Sequence, residues 1–175
     1  MDESRFFEDL DARHSRSWPI GIATRPIYPH GPVVLTAALR AWAQGDPHRI
    51  ALDFYGTTLD YLELDRLSDR CAAVLAARGV RQGDRVAVML DNCPQYYIAF
   101  YGILKLGAVY VPINPQLRED EALHILEDAE AVAAIVTDHL APLLLAARSR
   151  TGLESVLSTS PAELLPVMSN AALPA

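Results

Sequence analysis

One stretch of the sequence limits the possible folds more than any other. Residues 96–113 contain a single charged side chain, that of Lys105. About 18 apolar residues suffice to span a bilayer as a helix, but Gly102, Gly107 and Pro112 interrupt this stretch, and its second half is rich in β-branched residues. A helix followed by a strand would leave backbone groups unpaired in lipid. The stretch therefore predicts a buried helix and strand of an α/β domain, and no transmembrane segment.

The composition indicates a globular chain with little affinity for polyanions. Hydrophobic residues make up 51% of the 175 residues and charged residues 21%, as in chains that bury a core. The net charge of −7 argues against a nucleic-acid partner, which requires a basic surface. The acidic N-terminus lacks the apolar stretch of a secretory signal, and Cys71 and Cys93 form no CxxC pair. We therefore expect a cytoplasmic protein with two reduced thiols.

The first 60 residues carry three different patterns. Residues 1–33 contain four prolines, which forbid a long helix, so we expect an irregular arm with a short helix before His14. Residues 33–47 have helical character and end near Gly45. Residues 49–61 alternate around Gly56, as the strands of a β-hairpin do.

Residues 59–80 have the clearest helical pattern in the chain. Five residues recur at helical spacing and predict one buried face: Leu64, Leu67, Cys71, Val74 and Leu75. Asp60 and Glu63 are spaced as a capping box. Gly79 is a suitable left-handed terminator.

From residue 85 to residue 158, strand and helix patterns alternate. Strands are predicted at residues 85–90, 108–114, 131–137 and 154–158, and helices at residues 91–107, 118–130 and 141–150. Because the strands are continuous apolar runs, they predict an α/β fold, a layered and mostly parallel sheet with helices on both faces. A last capping box, Ser160 to Glu163, is cut short by Pro166. We expect an irregular arm at 1–33, an α/β subdomain at 34–160 and a truncated tail at 161–175.

Polar side chains with a possible chemical role are few. The histidines have no metal-ligand spacing: His14, His30, His48, His124 and His139. The acidic residues Glu119 to Glu121 suit the start of a helix. Asp91 follows a strand at the edge where α/β sites lie, although capping of the next helix is the favoured role. Ser158, Thr159 and Ser160 lack the glycine and lysine of a phosphate loop.

Aromatic residues crowd one part of the sequence: Tyr96, Tyr97, Phe100, Tyr101 and Tyr110. They could form a stacking surface or line an apolar pocket, but aromatic packing in the core is the favoured interpretation. The residue patterns by themselves thus predict no catalytic, cofactor-binding or metal-binding residue, and the substrate-binding residues are unknown.

Two motifs resemble the core motifs of the adenylate-forming enzymes, which include acyl-CoA synthetases, adenylation domains of peptide synthetases and luciferases. They are LDYLEL at residues 59–64 and LKLGAVYVPIN at residues 104–114. The first departs from the family at Asp60, where Thr or Ser is usual, but Asp is an equally good N-cap. The resemblance covers residues 33–160 and is most similar to bacterial long-chain fatty-acid–CoA ligases.

The resemblance implies an incomplete first subdomain of the adenylate-forming fold, in an ATP-dependent, AMP-forming ligase. Such enzymes adenylate a fatty acid or another carboxylate and then form a thioester, using ATP, Mg²⁺ and coenzyme A. The family's phosphate loop, its Thr-Glu pair, its ribose-binding Asp and its C-terminal lysine have no match in this chain. We therefore carry over no catalytic, cofactor-binding or metal-binding residue, and we expect the chain to be inactive by itself.

Two alternatives remain open at this point. The chain could be a non-catalytic module that binds an acyl group or a nucleotide through its aromatic residues. It could also be a half-enzyme or interaction protein that self-associates, or that needs a partner chain such as a missing C-terminal portion, because an incomplete sheet leaves strand edges and apolar faces uncovered.

Overall fold

The computed structural model describes residues 3–23, 28 and 31–165. The chain divides into two units, Met1–Val34 and Leu35–Ala175. In the first unit, helix α1 spans Glu3–Ser17. It is longer than the sequence suggested and includes His14, because the first proline lies beyond its end and an ion pair of 2.8 Å joins Asp9 to Arg13 one turn apart. His30 and the tail at 166–175 lie outside the described residues.

The second unit begins with a helix and a hairpin, as predicted. Helix α2 spans Leu35–Gly45, and the antiparallel strands β1 and β2 span Ile50–Phe54 and Thr57–Asp60. The turn between them has positive φ at both Tyr55 (50°) and Gly56 (85°), a geometry that matches the twist of the flanking strands. Helix α3, Tyr61–Ala77, follows directly, and its predicted capping box is confirmed.

Four parallel strands form the main sheet, which confirms the predicted fold class. The elements that follow α3 are, in chain order, β3 (Arg85–Met89), α4 (Pro94–Lys105), β4 (Val109–Pro112), α5 (Glu119–Asp128), β5 (Ala133–Thr137), α6 (Ala141–Ala146), α7 (Arg148–Thr151) and β6 (Ser155–Thr159). The strand order is β4-β3-β5-β6. The single helix predicted at 141–150 is two short helices, which meet at Ala147.

The core lies on both faces of this sheet. Alternate residues of β3 point to opposite sides, so Val86 and Val88 pack in a cluster with Leu75 of α3 and Ile103 of α4. Met89 packs on the other side, in a cluster with residues of α5 and α6. A strand that is buried on both faces carries mainly apolar side chains, which explains the nearly continuous apolar pattern in the sequence.

The last described segment differs from its prediction. Residues Pro161–Leu164 form one 3₁₀ turn, and the capping box between Ser160 and Glu163 is not made. Instead, the Ser160 hydroxyl oxygen accepts from the amide of Ala162 at 3.3 Å, and the Thr159 hydroxyl donates to the Glu163 carboxylate at 2.7 Å. The 3₁₀ turn explains the change. Because it is wound more tightly than an α-helix, the amide that reaches the Ser160 hydroxyl is the one two residues later and not the one three residues later.

Candidate functional site

The carboxyl ends of the parallel strands carry several polar residues, of which the sequence patterns had singled out Asp91 and Ser160. Asp91 follows β3, Asn114 follows β4, Asp138 follows β5, and Ser160 follows β6. In open α/β sheets, ligands bind at this edge. The carboxyl edge is therefore the first place to test for a site.

A cleft of about 360 Å³ opens between the ends of β3 and β4. Asp91, Asn92, Asn114 and Gln116 supply its polar wall, and Tyr96 borders it. The Asn114 side-chain oxygen is occupied, because it accepts from the amide of Gln116 at 3.0 Å. No cation lines this cleft, so its described walls do not fit a triphosphate, which requires positive charge or a backbone amide cradle.

The capping role expected for Asp91 is wrong. Helix α4 has Cys93 as its N-cap, without a side-chain capping bond, and Pro94 as its first residue. Proline at this position needs no cap for its own nitrogen, because it has no N–H group. Asp91 is exposed, and its carboxylate lies at the mouth of the cleft.

The aromatic residues pack mainly against one another. The Tyr110 ring of β4 meets the rings of Tyr96 at 6.0 Å and Phe100 at 5.1 Å, both nearly perpendicular. Tyr97 and Tyr101 make similar edge contacts with their chain neighbours. Such edge-to-face contacts are typical of packed aromatic side chains. Burial and the neighbouring Tyr96 phenol raise the pKa of Tyr110 well above the ordinary tyrosine value, although its hydroxyl makes no hydrogen bond.

Sequence reasoning missed a buried charged cluster between α2, α3 and α4. The Lys105 side chain is 8% exposed, and its Nζ lies 2.7 Å from Asp65 Oδ1 and 2.8 Å from Asp69 Oδ1. It also donates to the Asp65 backbone carbonyl at 2.7 Å. Arg40 of α2 completes the cluster through contacts of 2.8 Å with Asp65 and 2.9 Å with Asp69.

The charged cluster joins the two family motifs. Lys105 belongs to the motif at 104–114, and Asp65 follows the motif at 59–64 directly. One signal could have revealed this pairing, because a lone lysine in an apolar stretch must keep or find a polar partner when it is buried. The charged cluster holds α2, α3 and α4 together. It is remote in the fold from the carboxyl edge of the sheet.

The remaining sequence candidates do not converge on a centre. His48 Nδ1 lies 3.0 Å from Asp60 Oδ2, while His14, His124 and His139 are exposed. Hydrogen bonds from the Glu63 amide and then from His48 lower the pKa of Asp60. Within residues 3–23, 28 and 31–165, no group of three potential ligands could hold a metal ion. Among the same residues, no helix is both long and apolar enough to cross a membrane.

The fold and the motif positions define the chain as an α/β unit of the adenylate-forming type. A family described as "AMP-binding enzyme" matches residues 39–172. The chain therefore belongs to the AMP-binding enzyme family.

Individual relatives agree with this assignment. The long-chain-fatty-acid–CoA ligase of Bacillus subtilis is 36% identical over 128 residues, which are 73% of this chain and 23% of that protein. The crotonobetaine/carnitine–CoA ligase of Escherichia coli O1:K1 is 37% identical over 83 residues, 47% of this chain and 16% of its own length. The chain thus spans less than a quarter of the curated relatives it matches.

A solved structure supports the same position within the family. The N-terminal domain of FACL13 from Mycobacterium tuberculosis superimposes with a TM-score of 0.66 at 35% identity, covering 73% of this chain and 34% of that domain. The predicted resemblance to the N-terminal part of acyl-CoA ligases is confirmed.

Proposed function

We propose that this chain contributes the N-terminal α/β subdomain of an AMP-forming fatty-acyl-CoA ligase that acts in the cytoplasm. In that reaction a carboxylate attacks the α-phosphorus of ATP and releases pyrophosphate, and a thiol then displaces AMP from the acyl-adenylate. The observation that carries the proposal is the packing of both family motifs into one unit by Lys105 and Asp65, within the segment that matches a fatty-acid–CoA ligase.

The proposed contribution of the described residues is to the fold of the enzyme. The family implies ATP, Mg²⁺ and coenzyme A in its full-length members. The carboxyl-edge cleft has no cation for phosphate, and the described residues offer no metal centre. No residue of this chain matches the family's phosphate loop, Thr-Glu pair, ribose-binding Asp or C-terminal lysine, so we assign no chemical step to the described residues.

A hybrid enzyme tests the proposal. Residues 34–160 would replace the aligned segment of the Bacillus subtilis ligase, and long-chain acyl-CoA formation would be measured. We expect the hybrid to retain activity, because the segment supplies the same subdomain. The hybrid with Lys105→Met should lose its folded yield, while Arg150→Met, at an exposed ion pair, is the matched control. A hybrid that folds cooperatively but forms no acyl-CoA would refute the proposal.

One observation favours a second role, the binding of an acyl group without catalysis. The cleft beside Tyr96 is large enough for a small ligand or one end of a longer one. Calorimetric titration of the chain with a long-chain fatty acid distinguishes the two roles. Saturable binding that Asn92→Leu leaves intact and Tyr96→Ala abolishes would support this role, and the absence of saturable binding would remove it.

A further inference from the structure

The strand order creates a crevice that differs from the cleft described above. From β3 the chain enters α4, which packs on one face of the sheet, whereas from β5 it enters α6, which packs on the other. β3 and β5 are neighbours in the sheet. Where the connections of adjacent parallel strands leave toward opposite faces, their carboxyl ends flank a crevice in which α/β proteins bind ligands.

Gln95 lies at this crevice, in the first turn of α4. It is 9% exposed, and its Nε2 donates to the backbone carbonyl of Ser160 at 2.7 Å. Gln95 lies six residues after the end of β3 and Ser160 directly after β6, and β5 lies between those two strands, so this bond joins segments on either side of β5. Its Oε1 atom is buried and makes no hydrogen bond.

Thr137 belongs to this intervening strand. It is the last residue of β5, pairs with Thr159 of β6, and is 2% exposed. Its Oγ1 is also buried without a hydrogen bond, and it makes no capping bond to the turn that follows. Two unpartnered oxygens therefore lie at the carboxyl end of the sheet, and a buried oxygen without a hydrogen bond lowers stability.

The chemistry of the two oxygens defines what would satisfy both. Gln95 Oε1 can only accept, because it is a carbonyl oxygen, whereas the Thr137 hydroxyl can donate and accept. A hydroxyl oxygen fits this pair, since it donates its proton to Gln95 and accepts the proton of Thr137. Neither side chain is charged, so the pair offers nothing that would select an anion or a metal ion.

We infer that the crevice between the carboxyl ends of β3 and β5 binds one hydroxyl oxygen, held by Gln95 Oε1 and Thr137 Oγ1. The oxygen comes either from solvent water or from a hydroxyl group of a ligand. The inference uses only residues of this chain and does not depend on the proposed ligase activity.

A double-mutant cycle on the full chain tests the inference. Thr137→Val keeps the shape of the side chain and removes its hydroxyl. If no oxygen is bound, this change removes a buried hydroxyl that has no hydrogen-bond partner. The midpoint of urea unfolding should then be unchanged or higher than in the wild type. If the oxygen is bound, the midpoint should fall. The loss should also be non-additive with Gln95→Met, because both variants then remove contacts to the same atom.

The chain offers a matched control in Thr57, whose hydroxyl is also buried and unpartnered but lies in the hairpin. Thr57→Val should be additive with Gln95→Met. Additivity of Thr137→Val with Gln95→Met, together with an unchanged or higher midpoint for Thr137→Val, would overturn the inference.

A crystal structure of the wild-type chain provides a second readout that does not depend on how the variants fold. We expect an oxygen within about 2.7–3.2 Å of both Gln95 Oε1 and Thr137 Oγ1. Soaking with ethylene glycol separates the two sources: an unchanged single oxygen identifies water, and continuous density into the glycol identifies a hydroxyl-binding pocket. Density without any oxygen between the two side chains would refute the inference.

Discussion

At the scale of single residues, α3 and α4 approach each other closely at Gly102. A Cβ atom added there would lie 2.7 Å from Cys71 Cβ, 2.8 Å from Cys71 Sγ and 3.1 Å from the Ser68 carbonyl oxygen. Two of these three atoms belong to the helix backbone or are fixed to it, so side-chain rotation cannot relieve the overlap. Gly102 therefore sets the distance between the two helices.

Gly102→Ala should lower the free energy of unfolding by about 2 kcal/mol, because overpacking displaces α4 from α3. Urea unfolding followed by circular dichroism measures the change. The matched control is Gly45→Ala at the end of α2, where an added Cβ meets nothing within 4 Å. If the two substitutions had equal effects, close packing at Gly102 would not be what requires glycine.

The Cys71 thiol should react slowly in the folded protein. Burial raises its pKa to about 11, so at neutral pH almost no reactive thiolate is present. Alkylation by iodoacetamide, followed by peptide mass spectrometry, should label Cys71 slowly under native conditions and rapidly in urea. Native labelling as fast as that of a free thiol would contradict the packing at this position.

Asp60 should make stability depend on acid pH. Its pKa in the folded protein is lowered, first by the Glu63 amide and then by His48. Its contribution is therefore present above the pKa of the unfolded chain and is lost as the pH falls through the lowered folded value. Asp60→Ser keeps a capping oxygen without a titrating group. The stability advantage of wild type over this variant should shrink on acidification, and a difference independent of pH would contradict the assignment.

At the scale of elements, the charged cluster of Lys105, Asp65, Asp69 and Arg40 fixes how three helices pack. Among the residues that the structure describes, Lys105→Met leaves the buried Asp65 with Arg40, which is half-exposed, as its ionic partner. Loss of one member of a buried pair typically costs about 3 kcal/mol, and we expect a loss of that order in urea unfolding.

Arg40→Met is the control for the Lys105 prediction. It removes the ion pairs with Asp65 and Asp69, but the arginine side chain is 47% exposed and Lys105 still neutralises Asp65, so we expect a loss of about 1 kcal/mol or less. A loss from Arg40→Met as large as that from Lys105→Met would show that the cluster does not depend on the lysine.

The helices and strands could mostly be predicted from the sequence, but the buried face of α3 could be predicted only in part. Val74 has the right spacing for the core and yet is 45% exposed, whereas Asp65 and Ser68 are buried at 5% and 0%. Helical periodicity counts apolar residues, so it cannot register a carboxylate that is buried because a lysine from another helix reaches it. The partner lies 40 residues away in the chain, beyond any local pattern.

The carboxyl-edge residues show a similar limit. The sequence placed Asp91 and the hydroxyls of residues 158–160 near strand ends correctly, because the apolar runs define those ends. Sequence patterns did not identify Gln95 or Thr137 as candidate site residues, because their possible role in binding depends on which strands are neighbours in the sheet. That order, β4-β3-β5-β6, follows from packing among elements and not from any single segment.

At the scale of the whole molecule, the chain alone should form no acyl-adenylate. It matches less than a quarter of the length of its curated relatives, and its described carboxyl-edge cleft has no cation to stabilise charge on a transferring phosphate. ATP–pyrophosphate exchange with a fatty acid should not exceed that of a mock preparation, while the Bacillus subtilis ligase serves as the positive control. Exchange above the mock rate would show that the chain carries its own nucleotide site.

The position of β3 between β4 and β5 also dictates an order of assembly on the ribosome. β3 can pair with β4 soon after both have emerged, but its other edge has no partner until residues 133–137 have been synthesised. During that interval Val86 and Val88, fully covered in the folded protein, belong to an open strand edge of the kind that invites pairing with other chains. We therefore expect the nascent chain to be open to mispairing at this edge of β3 until β5 has been made.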